Sequence, residues 1–206
     1  MTYRLYYAAE SASMGIRLIL EELGMPYELI QSTTDKDVQR PPEQVLINPN
    51  GWLPVLVWDE GAMYEAAAIT IFLCDRHPEA NLAPRFDNPQ RGVYLQTLAY
   101  FSSTIQNAFQ LGYYPDRFAD TLEGEHGAKH RGIKRLRETW TGINDQIGDN
   151  TWVLGEQFSA VDIYLFMLTT WLDPPREHPT IDEFANVKRI ADAVSNRPKT
   201  RAIYRI

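Results

Sequence analysis

Cysteine is almost absent from this chain: Cys74 is the single thiol among 206 residues. One thiol excludes an internal disulfide framework and any cysteine-built metal cluster, and it fits a reducing compartment such as the cytoplasm. On a late helical position it reads as a small buried hydrophobe. Long apolar runs are missing too. The longest, Ala66 to Cys74, is far too short to span a bilayer. The opening Met1-Thr2-Tyr3-Arg4-Leu5 lacks the basic-then-apolar pattern of a secretory leader, so none is expected. Positive charge is scarce: 20 Lys and Arg against 27 Asp and Glu leave a net charge of −7 and a pI near 5.1. That balance argues against nucleic acid or an anionic membrane as partner. The histidines (His77, His126, His130, His178) show no metal-ligand spacing with other ligand types, and no metal is expected. His126 and His130, four apart, read as a solvated helical face. There is no repeat and no low-complexity segment.

What is present is a hydrophobic content of 44%, enough for a real core, on a length that suits one large domain or two small ones. The most informative stretch runs from Asn48 to Pro78. Asn48-Pro49-Asn50-Gly51 is a turn cluster. Leu53 to Trp58 is a short apolar strand, with Pro54 near its start, where a residue without a backbone N–H does least harm. Asp59-Glu60-Gly61 reverses the chain, Ala62-Met63-Tyr64 returns, and Glu65 opens an alanine-rich helix whose apolar face is Ile69, Phe72 and Leu73 with Ala68 beside them. His77-Pro78 ends it, because a residue before proline is pushed out of the helical region. A tight X-Pro turn at Leu53-Pro54 can be cis and present the Leu53 amide and carbonyl outward. Beside it the small-residue helix start, Ala66-Ala67, offers N–H groups that favour an anion, and Glu65 stands where an ammonium would enter. Together these fit a small peptide with free amino and carboxyl ends. An ordinary hairpin and helix with a structural proline is the plainer reading of the same residues.

In chain order, Tyr3–Tyr7 is β-prone, Ser13 is a plausible helix cap, and Ile16, Ile19, Leu20 and Leu23 keep helical spacing up to Gly24. Tyr27–Ile30 is a second strand, 33–42 a polar loop with two adjacent prolines, and 43–47 a helical turn. The resulting order, β-α-β-α-β-β-α, is that of a thioredoxin-like half. Residues 79–89 carry the prolines of a linker. After them every strong pattern is helical: Tyr94, Leu98, Phe101 and Ile105; then Ile133, Leu136, Trp140, Ile143 and Ile147; then Phe184, Val187, Ile190 and Val194. Ser159 followed by Asp162 is a capping-box pattern ahead of the apolar face Ile163, Phe166, Met167 and Thr170. The expected fold is an α/β thioredoxin-like N-terminal domain (1–78), a linker (79–89) and an all-α C-terminal domain (90–206).

Two segments carry a resemblance. Asn48-Pro49-Asn50-Gly51-Trp52-Leu53-Pro54-Val55-Leu56, followed by Glu65-Ala66-Ala67-Ala68-Ile69, resembles the glutathione-binding half of the glutathione transferase superfamily. Gly155-Glu156-Gln157-Phe158-Ser159-Ala160-Val161-Asp162-Ile163 is similar to the N-capping segment of that family's helical domain. The resemblance implies a site for glutathione at Trp52, Leu53, Pro54, Glu65 and Ala66. Ala66 stands where the family has a serine, which removes one hydrogen bond, about 0.5–1.5 kcal/mol.

The resemblance also places a thiol-activating group after the first strand, at the start of the first helix, where a hydrogen bond and the helix dipole favour the glutathione thiolate, the nucleophile. The loop here is Ala8 to Ser13 and is most similar to bacterial beta-like transferases, whose cysteine is replaced by Glu10. An ionised carboxylate only accepts hydrogen bonds. The catalytic expectation therefore falls on Ser11, then Ser13, with Tyr6 and Tyr7 behind them; the alternative is that both serines merely cap the helix. The electrophile pocket is expected between the halves, with Tyr7, Phe109, Tyr113, Tyr114, Arg117 and Trp171 as candidates: aromatics for flat apolar walls, and Arg117 for an anionic substrate. Core packing explains Trp171 equally well. The family's pairing of two chains implies a homodimer. The implied function is attack of glutathione on a small hydrophobic electrophile. The alternatives are a glutathione-dependent lyase or dehalogenase, or a binding module that kept the fold and lost the chemistry, which Glu10 and Ala66 favour.

Overall fold

A computed structural model describes residues 2–206. The chain forms two compact units, one of residues up to Arg91 together with Ser195–Ile206, the other of Gly92–Val194. The first contains β1 (Tyr3–Tyr7), α1 (Ser13–Leu23), β2 (Tyr27–Gln31), α2 (Pro42–Ile47), β3 (Val55–Trp58), β4 (Gly61–Tyr64) and α3 (Ala66–Arg76), the order that the apolar periodicities predict. The sheet runs β2-β1-β3-β4, with β1 parallel to β2 and antiparallel to β3, and β3 antiparallel to β4. Leu5 pairs with Leu29 on one side and Leu56 on the other. The inner strands β1 and β3 bury Tyr3, Leu5, Val55 and Leu56, and α1 adds Ile16, Leu18, Ile19 and Leu20.

Three local expectations change. Ser13 is the first residue of α1 rather than its cap, which is Ala12. The strand expected from Leu53 starts at Val55. Phe72 lies partly outside the core and stacks on Trp58 with ring centroids 4.5 Å apart, leaving Ile69, Thr70, Leu73 and Cys74 as the buried face of α3. Gly24 ends α1 in the left-handed region at φ 70°, a conformation that glycine adopts without a Cβ penalty.

The second unit is helical. α4 (Arg91–Tyr100) runs through a π turn (Phe101–Ile105) into α5 (Gln106–Tyr113), which breaks at Tyr114 before a 3₁₀ turn, Pro115–Arg117. α6 (Leu122–Ile147) is capped by Thr121, whose hydroxyl accepts the Gly124 N–H, and it contributes Leu136, Trp140, Ile143 and Ile147 to the core. α7 (Ala160–Thr169) is buried along its whole length, as expected of a helix apolar on every side. Its N-terminus carries the anticipated capping box between Ser159 and Asp162. α8 (Ala185–Ser195) buries Val187, Ile190 and Val194.

A last helix, α9 (Pro198–Tyr204), belongs to the first unit and packs on α1. Arg197 donates to both Glu22 carboxylate oxygens, at 2.8 and 3.1 Å, and Lys199 Nζ donates to the Glu21 carbonyl at 2.7 Å. No described helix is long and apolar enough to cross a membrane.

Candidate functional site

The turn before β3 is held by two buried amides. Asn48 accepts the Gly51 N–H on its carbonyl at 2.8 Å and donates from Nδ2 to the Trp52 carbonyl at 3.2 Å. Gln44, fully buried on α2, donates from Nε2 to the Gly51 carbonyl at 2.8 Å and accepts the Ser32 hydroxyl on Oε1 at 2.5 Å. Gly51 has φ 69°, which favours glycine, and a Cβ there would stand 2.7 Å from Cδ of the Arg40 side chain, which would have to shift. Leu53-Pro54 is cis. The ladder begins only at Val55, so the Leu53 backbone stands ahead of it. Trp52 is exposed and Pro54 is buried.

Glu65 follows β4 with φ 74° and ψ 110° as the cap residue of α3. Positive φ is uncommon for a residue with a side chain and is held only where the surroundings impose it. The Glu65 side chain is exposed and makes no cap hydrogen bond. The first N–H groups of α3, from the buried Ala66 and its neighbour Ala67, thus carry the positive end of the helix dipole without a side-chain acceptor. Replacing Gln44 with alanine leaves the Gly51 carbonyl and the Ser32 hydroxyl without their buried partner. The expected cost is about 1–3 kcal/mol, read as a lower midpoint in urea denaturation.

The loop between β1 and α1 places Ser11 and Ser13 together, hydroxyl oxygens 2.6 Å apart. Both reach the Ala8 carbonyl, at 2.8 Å from Ser11 and 3.1 Å from Ser13. The Ala8 N–H donates to Ser13 Oγ and the Ser13 N–H to Ser11 Oγ, each at 3.2 Å. Because either hydroxyl can serve the Ala8 carbonyl, the Ser11 proton is replaceable there. Glu10, exposed with φ 59°, occupies the outer corner of the loop. Tyr6 is in the core, whereas Tyr7 is half-buried with the Arg17 guanidinium over its ring at 5.5 Å.

In the helical unit, Phe109 lies 6.2 Å from Tyr113 and 5.6 Å from Trp171 by ring centroid. The Tyr113 hydroxyl donates to the Trp171 carbonyl at 2.8 Å. Tyr114 lies 6.3 Å from Tyr113 by ring centroid and carries the Arg117 guanidinium 4.0 Å above its ring. Phe109 is buried, Tyr113 and Trp171 are half-buried, and Tyr114 is at the surface.

Two family models match the chain: glutathione S-transferase, N-terminal domain, over residues 11–76, and glutathione S-transferase, C-terminal domain, over 127–193. The chain belongs to the glutathione transferase superfamily. An uncharacterized GST-like protein of Escherichia coli K12, YncG, is 27% identical over 189 residues, 90% of this chain and 89% of its own. A glutathione transferase homologue from Sulfitobacter, solved with bound glutathione, shares the fold with a TM-score of 0.89, 21% identity, and coverage of 99% of this chain and 97% of its own. A glutathione S-transferase of Methylobacterium radiotolerans, solved in complex with glutathione sulfonate, is 26% identical with a TM-score of 0.81, covering 98% and 94%.

Within this transferase fold, three residues at these sites carry no local signal of their place. Gln44 was hidden because a polar residue on a six-residue helix looks like surface. Arg40, whose Nε is buried without a hydrogen-bond partner beside Gly51, lay in a stretch read as polar loop. His178, buried against Phe109 and Tyr113, sat among prolines and charges that show no apolar period.

Proposed function

We propose that this protein is a glutathione transferase acting on a small hydrophobic electrophile. The observation that carries the reading is the pairing, on one unit, of the Leu53 backbone ahead of the ladder with the start of α3 at Glu65 and Ala66, which has no side-chain cap. The Leu53 backbone accepts the peptide backbone of glutathione. The α3 N–H groups take its γ-glutamyl carboxylate, Glu65 its ammonium, and Trp52 and Pro54 flank it. Arg40 offers a cation near the same turn for the second carboxyl end. The relative solved with glutathione sulfonate supports the same ligand class. No metal is required by this chemistry. The protein is proposed to work in the cytoplasm as a homodimer.

Ser11 is assigned the thiolate contact. Ser13 takes over the Ala8 carbonyl, the Ser11 O–H turns to the sulfur, and the Ser13 N–H on Ser11 Oγ keeps that hydroxyl polarised. The thiol proton leaves to water. The thiolate sulfur then forms a bond to the electrophilic carbon, whose leaving group departs with its electron pair. Phe109, Tyr113 and Trp171 supply apolar wall for the electrophile, with Tyr7, Tyr114 and Arg117 as further contacts. A hydrogen bond to a charged acceptor contributes about 1.5–3 kcal/mol, so Ser11→Ala is expected to lower kcat roughly 10- to 100-fold. The KM for glutathione should stay nearly unchanged, and the pH at which bound thiol ionises should rise. Unchanged turnover in Ser11→Ala removes Ser11 from the mechanism.

The second reading is a ligand-binding module without chemistry. It is favoured by Glu10 and by Ala66, which lacks a hydroxyl at the γ-glutamyl end. Calorimetric titration with glutathione and S-hexylglutathione, followed by turnover of a chloronitroarene, separates the two. Binding with turnover supports the transferase, binding alone supports the module, and no binding by either ligand rejects the Leu53/Glu65 site.

A further inference from the structure

The helical unit buries one histidine whose ring, among the described residues, bonds no carboxylate. His178 is 4% exposed. Its ring packs edge-on to Tyr113 at 5.0 Å and to Phe109 at 5.7 Å. Nδ1 accepts the Asp173 N–H at 3.3 Å, which fixes the neutral tautomer with the proton on Nε2. Nε2 itself faces α5 at Gly112, where even a Cβ would come within 3.1 Å, and it has no partner in hydrogen-bonding geometry.

The titratable and charged groups that face this ring come from three elements. The 173–177 turn supplies Asp173, Arg176 and Glu177; α5 supplies Tyr113; α6 supplies Lys129, with His130 acting on Glu177. The two carboxylates are already committed. Asp173 Oδ2 accepts Arg176 Nε at 3.1 Å, and Glu177 Oε1 accepts Lys129 Nζ at 2.6 Å. Arg176 also lies 5.1 Å over the Tyr113 ring. A second ring proton would therefore sit on Nδ1 facing the Asp173 N–H, donor against donor, beside two cations whose anions are spoken for. Burial depresses the His178 pKa below its ordinary 6.5; Arg176 and Lys129 push it further, while the Trp171 carbonyl and Asp173 resist.

We propose that His178 is a positioning residue for the electrophile: in its neutral form it pins the wall of Phe109, Tyr113 and Trp171, and its protonation releases that wall. The link runs through Asp173, which lies two residues after Trp171, and through Tyr113, which holds the Trp171 carbonyl. The role in turnover rests on the reading of this wall as the electrophile subsite. Protonation should raise the KM for the electrophile by at least about fivefold, the net worth of one neutral hydrogen bond. The KM for glutathione should stay flat, and kcat should follow the ionisation of the bound thiol alike in wild type and His178→Asn.

The test measures two things on the whole protein between pH 5 and 8. The first is an NMR titration of the His178 ring together with the Trp171 indole N–H. The second is the KM for a hydrophobic electrophile in wild type and His178→Asn, whose amide oxygen can replace Nδ1 as acceptor but cannot take a proton. The proposal expects one shared midpoint below 6.5 for His178, Trp171 and wild-type KM, and a low, pH-independent KM in His178→Asn. A shared NMR midpoint with a flat wild-type KM overturns the wall as electrophile subsite, and with it the catalytic role. A Trp171 signal that ignores the His178 titration overturns the pin itself, whether or not the variant folds.

Discussion

Replacing Asp162 with alanine is expected to cost about 3–5 kcal/mol and to lower the melting temperature by roughly 10 °C. The side chain is fully buried at the start of α7 and collects three donors. Val153 N–H reaches Oδ1 at 2.8 Å, Ser159 N–H reaches Oδ2 at 2.7 Å, and the Ser159 hydroxyl reaches Oδ2 at 3.0 Å. Alanine leaves two backbone N–H groups buried without acceptors, about 1–3 kcal/mol each, and removes the Asp162 half of the capping box on a helix that is core on every side. Asparagine is expected to be little better, because its NH₂ must face at least one of these donors. Differential scanning calorimetry of both variants checks this, and a shift below about 3 °C in Asp162→Ala contradicts it.

The same carboxyl gives a pH dependence with a definite sign. Burial raises it from 3.8 to about 6, against the pull of Val153 and Ser159. Between these values the folded state keeps a proton that the unfolded state has released. The contribution of this group is fully present below about pH 4, falls as pH rises to about 6, and is constant above. Its span is about 3 kcal/mol by linkage. The wild type should therefore lose stability relative to Asp162→Asn across that interval, measured by urea denaturation at fixed pH steps.

Gly132→Val is the second large effect. Gly132 is buried where α6 crosses α5, and a Cβ there would stand 2.8 Å from the Gly112 nitrogen, 2.8 Å from Leu111 Cβ and 3.0 Å from the Leu111 carbonyl carbon. Two of these atoms are backbone and cannot rotate away, so the helices must part. Overpacking of this kind costs about 1–3 kcal/mol or more even where side chains can adjust. The valine is expected at or above the upper end, with a melting temperature lower by roughly 6–12 °C. Gly132→Ala separates the causes: alanine gains up to about 1 kcal/mol of helix propensity, so net destabilisation there isolates the steric term. An alanine variant as stable as wild type would show that the crossing yields.

The elements that the sequence determined are those set by neighbours a few residues away. Ser159 and Asp162 make their reciprocal cap because both partners lie within one helical turn. The hairpin after Pro54, the end of α3 before Pro78 and the break of α5 before Pro115 follow from the fixed φ and missing N–H of proline. The apolar periods of α1, α6 and α8 specify their faces by the same local geometry. Phe72 is the instructive exception: its spacing puts it near the buried face, but Trp58 on β3 draws it to the edge.

What the tertiary structure alone decided depends on atoms brought together from afar. Gln44 becomes a fully buried clamp because Ser32 and Gly51 close around it. Ser11 and Ser13 share one carbonyl because the loop folds back on Ala8. Gly132 matters because another helix passes within contact of it. The return of α9 to α1 through Arg197 and Glu22 spans most of the chain. Burial lowers the His178 pKa, and the acids near it are paired with Arg176 and Lys129. Burial, tautomer and close approach are properties of three-dimensional neighbourhoods, and the spacing of residues along a chain carries periodicity but not the identity of partners that loops bring into contact.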